Sequence, residues 1–220
     1  DVMNKQRETI YGQRRKILKG EDQHDYFLGL IDNLVDWMLD SHANKDTPPE
    51  EWDRDALRQA VQAQFGLDIE TLSIDWTTVV FDELRDRLVK GLVAVYEAKE
   101  KHLGPFMREF ERMILLQVID SQWKDHLLEM DHLKEGIGLR GYGQKDPLIE
   151  YKKEGFEMFQ SMLDRIEEDA VRYLFLIQPV LDEPAPVRRQ TPVYYQKPQG
   201  PSGQRAKQAR GMIPGKRHKH

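Results

Sequence analysis

The 220-residue sequence contains no cysteine. That excludes a disulfide framework, thiolate metal ligation and cysteine redox chemistry, and it fits a cytosolic protein. No run approaches the roughly 20 apolar residues that a membrane-spanning helix needs, and Asp1 to Lys5 lacks the apolar core of a secretory signal. A soluble protein is expected. No Gly-x-x-x-x-Gly-Lys-Ser/Thr occurs, and without that backbone cradle, lysine and hydroxyl the phosphates of ATP have no recognisable site. Strand-like alternation is nearly absent. Acidic residues are absent beyond Glu183, whereas nine of the 33 Lys and Arg lie there. The body therefore carries 24 basic against 38 acidic side chains, a net charge of about -14 that argues against a nucleic-acid-binding domain. The chain begins at Asp1 inside a helical pattern rather than at a methionine, which suggests a piece of a longer protein.

What is present is helical periodicity in a polar chain, 32% charged and 39% hydrophobic with a mean hydropathy of -0.70. Met3, Ile10 and Ile17 recur every seven residues, so residues 1–20 predict a helix with one narrow buried stripe that ends at Gly20. Residues 21–103 read as a small helical subdomain. Phe27, Leu30, Ile31, Leu34, Trp37 and Met38 share one face, and Thr47-Pro48-Pro49 breaks the chain. A helix is expected to begin with Glu50 and Glu51 in its first turn and to stop at Gly66. Asp75 is the expected N-cap of a further helix carrying Val79, Val80, Leu84, Leu88, Leu92, Val95 and Tyr96.

Residues 104–178 predict an antiparallel helical hairpin. Gly104-Pro105 restarts the chain in a helix expected to reach Glu135, with a seam of Leu116, Ile119, Trp123, Leu127, Met130 and Leu133 in steps of three and four. Gly136, Gly138, Gly141 and Gly143 predict an interruption, after which Asp146-Pro147 caps a helix reaching Ile177. Tyr151, Phe156, Phe159, Leu163, Ile166, Ala170, Tyr173, Leu174 and Ile177 are its expected matching stripe. Residues 179–220, rich in Pro, Gly, Gln, Lys and Arg, have too little apolar surface to offset the entropy of ordering and read as a disordered basic tail. The fold expected is all-α.

The hairpin carries a family resemblance. Gln117 to Leu127, Met130-Asp131-His132-Leu133, Gly136 to Pro147 and Glu150-Tyr151-Lys152 resemble the two-helix finger of SecA translocation motors. Val2 to Arg7, Ile10-Tyr11 and Gln13-Arg14-Arg15 are similar to the end of that family's long scaffold helix, and the region between is similar to its helical wing in position and helical character. The resemblance covers roughly residues 1–178. It implies that the finger contacts preprotein and the SecYEG channel while the scaffold relays motion from motor domains of the same parent chain, where ATP and Mg would bind. This piece would then be no enzyme and hold no cofactor. It also implies a cytoplasmic protein at the inner face of the cell membrane and a parent able to form a homodimer. Relatives often end in a Cys-and-His zinc tail, which this chain, with only His218 and His220 near its end, departs from.

Leu139, Arg140, Gly141, Tyr142, Gly143 and Lys145 are the implied contacting tip. A ring at Tyr142 either projects from the glycines or packs back on its own hairpin; Arg140 and Lys145 either meet acidic or carbonyl groups or remain solvated. Trp123, Leu127, Met130, Phe156 and Phe159 are the expected structural seam. Glu129-Met130-Asp131-His132 and Glu21-Asp22-Gln23-His24 share the Glu-x-x-His spacing of di-metal bundles, leaving a metal-dependent helical enzyme as an alternative beside a free-standing interaction module. The basic tail could hold anionic lipid at about 1 kcal/mol per cation near the surface, or RNA.

Overall fold

The computed structural model describes residues 2–140 and 146–179. Among them are six α-helices and no strand: α1 (Val2–Leu18), α2 (His24–His42), α3 (Arg54–Phe65), α4 (Phe81–Leu103), α5 (Phe106–Arg140) and α6 (Pro147–Leu176), with 3-10 turns at Pro49–Glu51 and Ile69–Leu72. The tail from Val180 onward lies outside the described residues, as do Gly141 to Lys145.

The narrow stripe of α1 is as expected, with Ile10 and Ile17 buried and Met3 packed against the core. Gly20 follows with a φ of +80°, which closes the helix. In α2 the buried set is Phe27, Leu30, Ile31, Val35, Met38 and Leu39, whereas Trp37 is 60% exposed. Helices α3, α4 and α6 all pack on α2, so its apolar face turns toward Val35 and Leu39 and leaves Trp37 outside.

Two helix starts fall later than the sequence predicts. Glu50 and Glu51 form only a 3-10 turn, and α3 begins at Arg54, where the Asp53 carboxylate accepts from the Ala56 amide at 3.0 Å. Asp75 does not cap α4. It accepts from the amide and hydroxyl of Thr77 at 3.0 and 2.6 Å and from the hydroxyl of Thr78, and these bonds hold its carboxyl below the usual range. Four consecutive β-branched residues, Thr77 to Val80, disfavour a first helical turn, so α4 waits until Phe81. Once begun it buries Leu84, Leu88, Leu92 and Tyr96 as expected, with Val95 at its edge.

Helix α5 corrects the largest expectation. It runs for 35 residues, roughly 50 Å at 1.5 Å per residue, straight through Gly136 and Gly138 to Arg140. Each helical glycine costs only about 1 kcal/mol, which continued backbone bonding and the neighbouring α6 can offset. Asp146 then caps α6 by accepting from the amides of Leu148 and Ile149, with Pro147 in the first turn.

Helix α5 contacts α1, α4 and α6. One stripe cannot serve three neighbours, so Met107, Phe110, Ile114, Leu115 and Val118 are buried beside the expected Ile119, Trp123 and Met130, while Leu116, Leu127 and Leu133 are half-buried.

Candidate functional site

The hairpin of α5 and α6 is antiparallel, because residues early in one helix meet residues late in the other. Gln122 donates to Asp169 at 2.8 Å, Arg165 bonds Gln122 at 3.2 Å and lies 3.7 Å from Glu129. Near the far end, a methyl in place of the Gly155 hydrogen would stand 2.9 Å from Met130 Cε. Glycine at 155 therefore lets the two helices approach closely. The interface buries Trp123 and Met130 on α5 and Phe159, Met162, Ile166, Ala170 and Leu174 on α6. Phe156 lies one residue off the Gly155–Phe159 line, about 100° around the helix, and is 61% exposed beside a groove that Val2, Lys5 and Thr9 of α1 also line. It is not part of the seam. Tyr173 and Ile177 also sit at the margin, and Tyr151 and Leu163 are half-buried.

Toward the tip the core runs out. The last buried residue of α5 is Met130 and the first of α6 is Gly155 among residues whose side chains are described. Beyond them α5 continues for ten residues, roughly 15 Å. Leu148 and Ile149 stand about 60% exposed at the start of α6. Leu139 and Arg140 are the last residues of α5; Gly141, Tyr142, Gly143 and Lys145 lie outside the described residues.

At the root of this projection α1 is attached by a buried polar chain that hydropathy alone does not reveal. Gln6 Nε2 donates to the Gly155 carbonyl at 2.8 Å, and His126 Nε2 lies 2.9 Å from Gln6 Oε1. Since the Gln6 amide nitrogen is committed to a carbonyl, its oxygen is the acceptor, and His126 must carry its proton on Nε2. His126 is fully buried between the rings of Trp123 and Phe159, each 5.6 Å away, and its Nδ1 finds no protein partner. Toward the C-terminal end of α1, Arg14 pairs with Asp120 at 2.9 Å.

Burial pushes the His126 imidazole below its ordinary pKa, with Glu129 opposing and Arg165 adding to the effect. The neutral ring is thus favoured in the folded chain. Its contribution to stability is full above the unfolded pKa of about 6.5 and is lost as pH falls below it toward the folded value. Glu167, held up by burial and by Asp164, works in the opposite sense, so a difference experiment is needed. Between pH 7.5 and 5, the parent chain should lose more melting temperature than His126→Met does; equal losses would contradict a neutral buried imidazole.

A second polar cluster joins α2, α4 and α5. Glu111 is fully buried and accepts from Tyr96 at 2.5 Å and from Arg108 Nη1 at 2.7 Å on both carboxylate oxygens. Arg108 also pairs with Glu100, and His24 Nδ1 lies 3.1 Å from the Tyr96 hydroxyl. Burial first, then the Glu111 hydrogen bond, drives the Tyr96 phenol well above its ordinary range. Lys99 crosses from α4 to the end of α6, donating to the carbonyls of Leu174, Phe175 and Ile177, and burial lowers its pKa.

The two Glu-x-x-His pairs are engaged separately, Glu129 with Arg165 and His24 with Tyr96. Among the described residues no group of three or more His, Asp or Glu is placed to hold a metal ion, and no helix is long and apolar enough to cross a membrane.

The fold and site define a helical scaffold that carries a projecting two-helix hairpin. A family model for the SecA wing and scaffold domain matches residues 1–178, and the chain belongs to that family. It is similar to protein translocase subunit SecA of Syntrophobacter fumaroxidans, 47% identical over 179 residues that make up 81% of this chain and 21% of the relative. It is likewise similar to the subunit of Acidobacterium capsulatum, 45% identical over 86% of this chain and 19% of the relative, and to SecA 1 of Magnetococcus marinus, 46% identical over 79% and 20%. The chain spans about a fifth of the length of these relatives.

Proposed function

We propose that this chain is the force-transmitting and polypeptide-contacting part of a translocase subunit. Residues 1–20 end the scaffold helix, 21–103 form the wing, and 104–178 form the scaffold and finger. In this reading the finger tip, Leu139 to Lys145, touches preprotein and the SecYEG channel. Motor domains elsewhere in the parent protein bind ATP and Mg, and their motion reaches the finger through α1. The parent is then a protein-translocating ATPase held peripherally at the inner face of the membrane.

The observation that carries this reading is the hairpin's projection beyond its last buried residues, Met130 and Gly155, while α1 grips it at that level. A hairpin that served only as core would bury both helices to their ends. In a full-length translocase subunit carrying this chain, Tyr142→Ala should reduce preprotein transport severalfold and leave the melting temperature within about 2 °C, since the sequence sets Tyr142 between two glycines and outside the apolar stripes. Tyr142→Phe should recover most of the transport, because the ring supplies most of the contact area. Normal transport by the alanine variant would count against a contacting tip. The division of labour has its own check: titration calorimetry of this chain with MgATP should show no saturable heat, and micromolar binding would overturn it.

A further inference from the structure

We propose that Gln6 and His126 are positioning residues whose hydrogen-bond chain to the Gly155 carbonyl sets the axial register of α1 on the hairpin. The inference deepens the coupling role proposed above and rests on it. The apolar contacts of α1 are poor register marks. Met3, Ile10 and Ile17 repeat every seven residues, and a slip along the partner groove exchanges one aliphatic contact for another. The Arg14–Asp120 pair is one-third to one-half exposed and held by long side chains, so it can follow a slip. The buried chain cannot. Its bonds of 2.8 and 2.9 Å join three helices at one level, and a slip of one seven-residue repeat, about 10.5 Å, breaks both and separates the Gln6 amide and the His126 N–H from their partners. Trp123 and Phe159 box the imidazole, which prevents it from swinging after a displaced partner. A site selected for stability alone would hold an aliphatic side chain, and a lone polar residue in an apolar helix seam is a known device for specifying register.

The absence of native cysteine permits clean spin labelling at Tyr11→Cys and Leu128→Cys, on exposed positions of α1 and α5. Double electron–electron resonance should give one narrow distance with Gln6 and His126 in place. The double variant Gln6→Leu/His126→Leu should keep or raise its melting temperature and add a second population slipped by about 10 Å along α1, one seven-residue repeat of its apolar stripe at 1.5 Å per residue. In a full-length translocase the same pair should raise the ATP hydrolysed per chain transported severalfold, with the hydrolysis rate itself unchanged. A single unchanged distance in the folded double variant would overturn the proposal. Should the double variant not fold, nitrogen-15 spectra of the unmutated chain decide: a neutral His126 with a slowly exchanging Nε2 proton at pH 7 is required, and an Nδ1–H tautomer or a freely exchanging proton overturns the assignment. Because register is read without the tip, failure of the tip contacts and failure of the register device give different results.

Discussion

Trp123→Ala is expected to lower the stability of the helical body by roughly 3 to 5 kcal/mol, the range for truncating a large buried aromatic. Trp123 is 7% exposed, sits on the α5 face that meets α6 and covers one side of the His126 ring. Its removal opens a cavity between two long helices whose other contacts hold them apart, so collapse is limited. It also leaves the imidazole without one of its walls. For a body of this size the loss corresponds to a fall in melting temperature of roughly 6 to 20 °C. The comparison variant is Phe156→Ala, which the exposed position of that ring predicts to be nearly silent. Thermal melts of the two should separate clearly, and a Trp123→Ala chain that melts with the parent would mean that this seam does not hold the hairpin together.

A loss of similar size is expected from Arg108→Met, for an electrostatic reason. The methionine fills much of the same space but leaves the Glu111 carboxylate fully buried with only the Tyr96 hydroxyl as a partner. Breaking a buried pair in this way costs about 3 to 5 kcal/mol, because the remaining charge keeps its desolvation penalty. Replacing both residues, Arg108→Met with Glu111→Leu, should recover most of the loss, whereas Arg108→Lys should fall between because it lacks the guanidinium fork. A melt of Arg108→Met within 2 °C of the parent would show that the cluster does not anchor α4 to α5.

The elements that sequence made legible are those whose buried side chains keep to one narrow stripe. Met3, Ile10 and Ile17 marked the buried side of α1, and Leu84, Leu88 and Leu92 that of α4. Legibility failed where buried side chains spread beyond one stripe, as on α5, or where local chemistry competes. Trp37 and Phe156 fit an apolar pattern yet lie outside, since Val35 and Leu39 in one helix and Gly155 and Met162 in the other face the core instead. Gly136 and Gly138 looked like breaks because propensity penalises them, but two residues' worth of penalty does not stop a helix supported by a neighbour. The polar junctions were missed because hydropathy does not register a buried Gln, His or Glu. A positional signal existed all the same. Gln6 falls three residues after Met3 and four before Ile10, His126 three after Trp123 and four before Met130, and Glu111 four after Met107 and four before Leu115. Each is a polar residue at an inward position of an otherwise apolar stripe.

Site-specific photocrosslinking tests the central claim most directly. A photoreactive residue at position 142 of a full-length translocase subunit carrying this chain, with a preprotein stalled in transit, should capture the preprotein or the channel entrance, and the same residue at His42, at the end of α2, should capture neither. Capture from 142 alone is the predicted result. No capture from 142, or equal capture from both positions, would contradict a contacting tip and leave the hairpin as scaffold.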